Sequence, residues 1–172
     1  DSGSSLYSLP LNISGTTHLR ARVFGENGAS SRIASATYIQ VDRALTDFTS
    51  DLPLIVLENF QSGRPPQNNF QDGVMSVIEP AEDGRTPLLG VPAIQTRVGL
   101  KVRGSSTSGR PKPSVSLEAR GEYDEERGIT PLGLPRDSDW VLWGPYNFDL
   151  SLMHNPLIFE LSNQIGRYAP RT

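Results

Sequence analysis

The sequence predicts an α+β fold: a mostly antiparallel β-sheet with one C-terminal helix, plus a small N-terminal β-hairpin unit. Three observations carry this. The 16 glycines and 14 prolines among 172 residues call for many turns and short elements. Two stretches, 93–104 and 114–119, alternate apolar and polar side chains with the period of a half-buried strand. One stretch alone, 155–166, has helical spacing with start and stop signals.

The elements follow in chain order. In "TTHLRARVF" (16–24), Leu19, Ala21 and Val23 alternate with His18, Arg20 and Arg22. "GENGAS" is a turn, and "SATYIQV" (35–41) returns as the second strand. Two or three strands are not stable alone, so residues 1–43 are expected to be the C-terminal part of a small β-sandwich-like module. "ALTDFTSDL" (44–52) reads as a linker. "PLIVLE" (53–58) is a continuous apolar run, the pattern of a strand covered on both faces. A long loop (59–73), a strand "VMSVIE" (74–79) and a turn "PAEDGRTP" come next.

In "AIQTRVGLKVRG", Ile94, Val98, Leu100 and Val102 share one face, and Gln95, Arg97, Lys101 and Arg103 the other. Val115, Leu117 and Ala119 point inward from the next strand, so the two form an antiparallel hairpin around "GSSTSGRPKP". "GEYDEERG" (121–128) reads as a charged, mobile loop, and "SDWVLWGPY" (138–146) as a short buried aromatic stretch. In the last element Asn155 suits the N-cap, Pro156 the first helical position and Gly166 the C′ stop. Leu157, Ile158, Leu161 and Ile165 form its apolar stripe. Asp149 is placed to cap the preceding turn "DLSLMH".

Composition narrows the function classes. A net charge of -3 gives no broad basic field, so no nucleic-acid partner is expected. With no cysteine, disulfides and thiolate metal sites are excluded. No apolar run approaches the length of a membrane span. Asp1 at the start and "RYAPRT" at the end read as the ends of a piece excised from a longer protein.

Chemistry points to the loop at 104–113. A phosphate cradle needs free backbone N–H groups, small side chains and often a lysine. Gly104, Ser105, Ser106, Thr107, Ser108 and Gly109 meet the first two needs, and Lys112 the third. The P-loop pattern is not met, because Arg110 and Pro111 separate Gly109 from Lys112 and a strand follows instead of a helix. The arrangement is nearer to a kinase-type Gly-rich hairpin. Spacing alone leaves two readings, a polar hairpin and a nucleotide loop, with the hairpin first. His18 lies on a polar strand side, and His154 lacks the acidic partners of a metal site. Asp124, Glu125 and Glu126 read as a solvated loop, Asp137 and Asp139 as turn or cap residues, and Trp140 and Trp143 as core.

"LKVRGSSTSGRPKPSVSLEAR" (100–120), "PLGLPRDSDWVLWGPY" (131–146) and "NPLIFELSNQIGRYAPRT" (155–172), in that order, resemble the spore-coat CotH kinase family. "LPLIVLENF" (52–60) looks like its entry strand. Residues 1–43 are similar to the tail of a fibronectin-III-associated or chitobiase-C-terminal-like module. The resemblance implies that 44–172 is the N-terminal lobe of an atypical secreted-type protein kinase, cut before its catalytic lobe. In such a lobe the Ser/Gly loop covers ATP phosphates. Lys112 would pair with them and Arg103 would come second, beside Gly104, Ser105 and Ser106. ATP and Mg²⁺ would be cofactors of the parent, and the missing C-terminal lobe the main partner. A homodimer through exposed apolar surface near the last helix or "DWVLW" is the other expected contact. The implied location is extracellular or on a bacterial cell surface.

The departures are specific. "NFDL" (147–150) lacks a basic residue common in the family, and His154 stands where an arginine is common. No D-x-x-x-x-N element is present, so no catalytic residue is expected here and the isolated chain should not transfer phosphate. The alternative is a non-catalytic β-rich cell-surface module, for carbohydrate binding or as a structural scaffold derived from a kinase.

Overall fold

The computed structural model describes residues 4–146 and 148–172. Residues 1–3 of the N-terminal unit and Asn147 of "NFDL" lie outside the described residues. The chain divides into two compact units, Asp1–Thr46 and Asp47–Thr172.

The first unit holds one antiparallel pair, β1 (Thr17–Ala21) and β2 (Ala34–Tyr38), with Leu19 opposite Ala36. The expected turn between them is present: Gly28 N–H donates to Gly25 O and Gly25 N–H to Ala29 O. The expected inward set is not buried. β1 ends at Ala21, and Val23 is 72% exposed. A two-stranded ribbon has no second layer to cover either face.

In the second unit a five-stranded antiparallel sheet runs in the order β4-β5-β7-β8-β9. Its strands are β4 (Leu54–Glu58), β5 (Gln71–Ile78), β7 (Ile94–Arg103), β8 (Ser114–Arg120) and β9 (Asp139–Leu142). Every neighbour in the sheet is the next of these strands along the chain, so each pair closes locally. A small clasp, β3 (Thr49–Ser50) paired with β6 (Thr86–Pro87), gathers the former "linker" into this unit. Arg85 ties it further, donating to Asp51 and Thr49.

β7 is the centre of the sheet. Val98 faces Ala119, Leu100 faces Leu117 and Val102 faces Val115 across the β7–β8 ladder. Met75, Val77, Val98, Leu100, Leu117, Ala119 and Ile129 form one buried cluster, with Ile94, Val115, Trp140 and Leu142 packed against it. Ile129 arrives from the β8–β9 connection, held by a reciprocal pair of backbone bonds with Asp137. The alternation read from the sequence is therefore the core itself.

The opposite face is polar and paired. Arg97 meets Asp124 at 2.6 Å, and Arg120 meets Glu118 at 2.8 Å and Asp72 at 2.9 Å. These pairs are partly solvated, so each contributes about 1 kcal/mol or less. "GEYDEERG" is a hydrogen-bonded turn and not a mobile loop: Gly121 N–H donates to Glu125 O, and Arg127 N–H to Ala119 O.

Two expectations are corrected. "PLIVLE" is an edge strand, not a strand covered on both faces, and Ile55 is 40% exposed. The strand covered on both faces is β5, buried from Gly73 to Ile78. The helix α1 (His154–Gln164) begins earlier than expected, with Met153 and not Asn155 at its N-cap position and Pro156 two residues inside. Proline is tolerated there because N–H groups in the first turn have no intrahelical acceptor. The stop at Gly166 is as expected. Gly166 N–H bonds Asn163 O and Arg167 N–H bonds Ser162 O, the paired bonds of a Schellman motif.

The apolar stripe of α1 stays open to solvent, with Leu157 at 55%, Leu161 at 47% and Ile165 at 74% exposure. No helix among the described residues is long and apolar enough to cross a membrane.

The contrast between sheet and helix sets a stability expectation. Leu117→Ala should cost about 2–5 kcal/mol, because it opens a cavity in the one core. Leu161→Ala should stay within about 0.5 kcal/mol, as an exposed change does. Urea unfolding of both variants measures the difference.

Candidate functional site

The β7–β8 ladder runs out to the pair Arg103–Ser114, so the Ser/Gly loop starts from a rigid base. Gly104 ends β7 at φ +108°, where an L side chain is strained. A Cβ there would also lie 2.3 Å from Thr107 Oγ1, which is folded into the loop. The glycine is needed on both counts.

The loop's carbonyls are occupied from within the protein. Gly104 O accepts from Gln67 Nε2 (2.7 Å), Ser105 O from Ser108 Oγ (2.8 Å) and Thr107 O from Arg110 N–H (3.1 Å). Ser108 O and Arg110 O (3.0 Å) both accept from Arg64 Nη2. Five of the seven carbonyls from 104 to 110 are thus engaged, those of Gly104, Ser105, Thr107, Ser108 and Arg110. An anion is repelled by carbonyl oxygen and attracted by N–H, so tying back the acceptors makes the loop more receptive to negative charge.

The predicted site residues gather at this end. Gly104, Ser105, Ser106, Arg103 and Lys112 are all exposed on or beside the loop. Arg103 is on the polar face of the sheet, in register with Ser114. Lys112 stands between Pro111 and Pro113, whose rings stiffen the backbone. The chain beyond β9 lies directly against it. Gly144 N–H donates to Ser114 Oγ at 3.1 Å, and a Cβ on Gly144 would come within 2.6 Å of Lys112 O and 2.7 Å of Pro113 O.

Several participants were not legible beforehand. Arg64 and Gln67 come from the β4–β5 connection, 37 to 46 residues away from the carbonyls they hold. Pro66 O extends the contact by accepting from Val102 N–H at 2.9 Å. Arg110 stacks over the Phe148 ring at 4.3 Å, and Phe148 meets Trp143 edge-on at 6.0 Å. Lys101 Nζ sits 4.5 Å from the centroid of Phe70, and Arg120 shares that ring at 5.5 Å. The available signal was charge. Segments 59–71 and 101–117 hold Arg64, Lys101, Arg103, Arg110 and Lys112 and not one carboxylate, in a chain with 19 acidic residues.

The other candidates serve structure. Trp140 is half-buried against the core and donates from Nε1 to Asp137 O at 3.1 Å. Asp137 accepts from Asp139 N–H at 3.0 Å, as a turn residue does. His18 Nδ1 pairs with Thr37 Oγ1 across the N-terminal hairpin at 2.8 Å. Among the described residues, no group of three or more His, Asp or Glu side chains is arranged to hold a metal ion.

Asp149 is buried, and its carboxylate organises the entry to α1. Oδ1 accepts from Ser151 N–H (3.1 Å) and Ser151 Oγ (2.7 Å), and Oδ2 from His154 N–H (2.9 Å). The His154 ring lies 3.4 Å away. Burial pushes the Asp149 carboxyl up, but the Ser151 and His154 hydrogen bonds and the His154 charge outweigh it and hold it below the ordinary aspartate value.

No family model, curated protein or solved structure matches this chain.

Two outcomes follow from this geometry. Gly144→Ala should destabilise by about 1–3 kcal/mol, because the clashing atoms are backbone carbonyls that cannot rotate away. Chemical denaturation reads it. The lowered Asp149 value means the folded state binds that proton less readily than the unfolded chain. Its stabilisation is present above the unfolded value, about 3.9, and is lost as pH falls through the folded value. Acid melts of wild type and Asp149→Asn should therefore converge below that range and separate above it.

Proposed function

We propose that residues 47–172 act as the phosphate-covering lobe of a CotH-like surface protein kinase. In this reading the Ser/Gly loop lies over the phosphates of ATP, with Lys112 as the principal cation and Arg103 as the second. One observation supports it most: the loop's carbonyls are tied back while Arg103 and Lys112 stand exposed beside it in an acid-free stretch. A lysine there acts as a point charge toward phosphate, and its effect grows as water is excluded.

The reading gives this chain binding and not turnover. Phosphoryl transfer needs carboxylates or amides that hold Mg²⁺ and a group that orients the attacking hydroxyl. The resemblance assigns those to a second lobe, which would be the partner of this one. A homodimer through the exposed stripe of α1 is the other cover the reading allows. Location on or outside a bacterial cell belongs to the same proposal. The competing function is a non-catalytic surface module, in which the loop is a polar hairpin with no ligand.

Calorimetry with Mg²⁺ and ATP separates them, on this chain and on a polypeptide that also carries the second lobe. Binding in the two-lobed protein, weakened about tenfold or more by Lys112→Ala, is the expected result. No binding in either form overturns the proposal in favour of the surface module.

A further inference from the structure

We infer that Arg64 and Gln67 are positioning residues for the Ser/Gly loop, and that the loop so held takes the phosphate chain of a polyphosphate. The inference rests on the phosphate reading above and names the ligand class and the residues that prepare the loop.

The positioning role follows from what the two side chains touch. Loop residues 104–110 belong to the hairpin, and their own internal bonds account only for Ser105 O and Thr107 O. The remaining engaged carbonyls, Gly104, Ser108 and Arg110, are all held from the β4–β5 connection. Without Arg64 and Gln67 these peptide groups are free to rotate, and their oxygens can turn toward the space an anion would occupy. Arg64 is suited to the task because a planar guanidinium directs its N–H groups at fixed angles, so it can bridge two carbonyls of one turn. Its charge adds to the field at the same place.

The ligand class follows from charge. Two adjoining segments contribute Arg64, Lys101, Arg103, Arg110 and Lys112 with no carboxylate between 59 and 71 or between 101 and 117. The carboxylates Asp124, Glu125 and Glu126 belong to the β8–β9 turn, which leaves the other end of β8. A field of this kind rewards a ligand with several charges. A single phosphate engages one or two of these cations, and a neutral sugar gains nothing from them.

The test uses this chain and inorganic tripolyphosphate, with orthophosphate as the single-phosphate control. Calorimetry should show tripolyphosphate binding more tightly than orthophosphate, and NMR should show it shifting the amides of Ser105 and Ser106. Arg64→Ala should weaken it about tenfold, with the melting temperature unchanged. Arg64→Lys keeps the charge and loses the planar fork, so it should lose as much as Arg64→Ala. Affinity in Arg64→Lys equal to wild type reduces Arg64 to a bulk charge and overturns the positioning role. Failure to bind tripolyphosphate, or equal affinity for orthophosphate, overturns the ligand class. Arg64-dependent tripolyphosphate binding in a two-lobed protein that ignores Mg²⁺ and ATP keeps this inference and removes the kinase reading. ATP binding that needs Lys112 and ignores Arg64 does the reverse.

Discussion

The second unit depends on β7 being hydrogen-bonded on both sides while presenting two different faces. Its apolar residues meet β5 and β8 side chains in the single core, and its polar residues carry Arg97 and Lys101 on the other face. Fully burying a Val or Leu stabilises by about 1.5–3 kcal/mol, whereas the ion pairs opposite are worth much less. The apolar face therefore sets the register, since a slip of one residue would bury the charges. The polar face accepts whatever register results.

That register also fixes the loop. Because pairing continues to Arg103 and Ser114, the Ser/Gly segment cannot drift, and its first residue must turn sharply at Gly104. The hairpin alone leaves much of the loop's backbone polarity undetermined. The β4–β5 connection supplies it through Arg64 and Gln67, while Arg110 and Phe148 fasten the loop to the chain beyond β9. Three stretches distant in sequence thus share one short loop, which is a reason for its small side chains apart from any ligand.

α1 is held differently. Its two ends are secured by hydrogen bonds: Asp149 at the start, and the Schellman bonds with the Asn163–Ala169 pair at the finish. Its flank contributes little burial, as the exposure of Leu157, Ile158 and Ile165 shows. Capping residues can define where a helix sits on the chain without providing a face for it to pack against.

By itself the sequence determined the elements whose signals are local. The period-two pattern of 94–103 and 114–119 specified a hairpin and its inward residues, because alternation is a property of the strand alone. Gly166 specified the helix stop for the same reason, and the acid-free composition of two segments was visible, though its significance was not. Only the tertiary structure decided which apolar strand lies inside. "PLIVLE" and β5 are both apolar, and burial depends on how many neighbours a strand has, which no single strand encodes. The start of α1 was likewise decided by Asp149, folding back from five residues before His154. The hold on the Ser/Gly loop was decided by Arg64 and Gln67, whose partners are dozens of residues away. Hydrogen bonds at that separation follow from the closed sheet and have no periodicity to announce them.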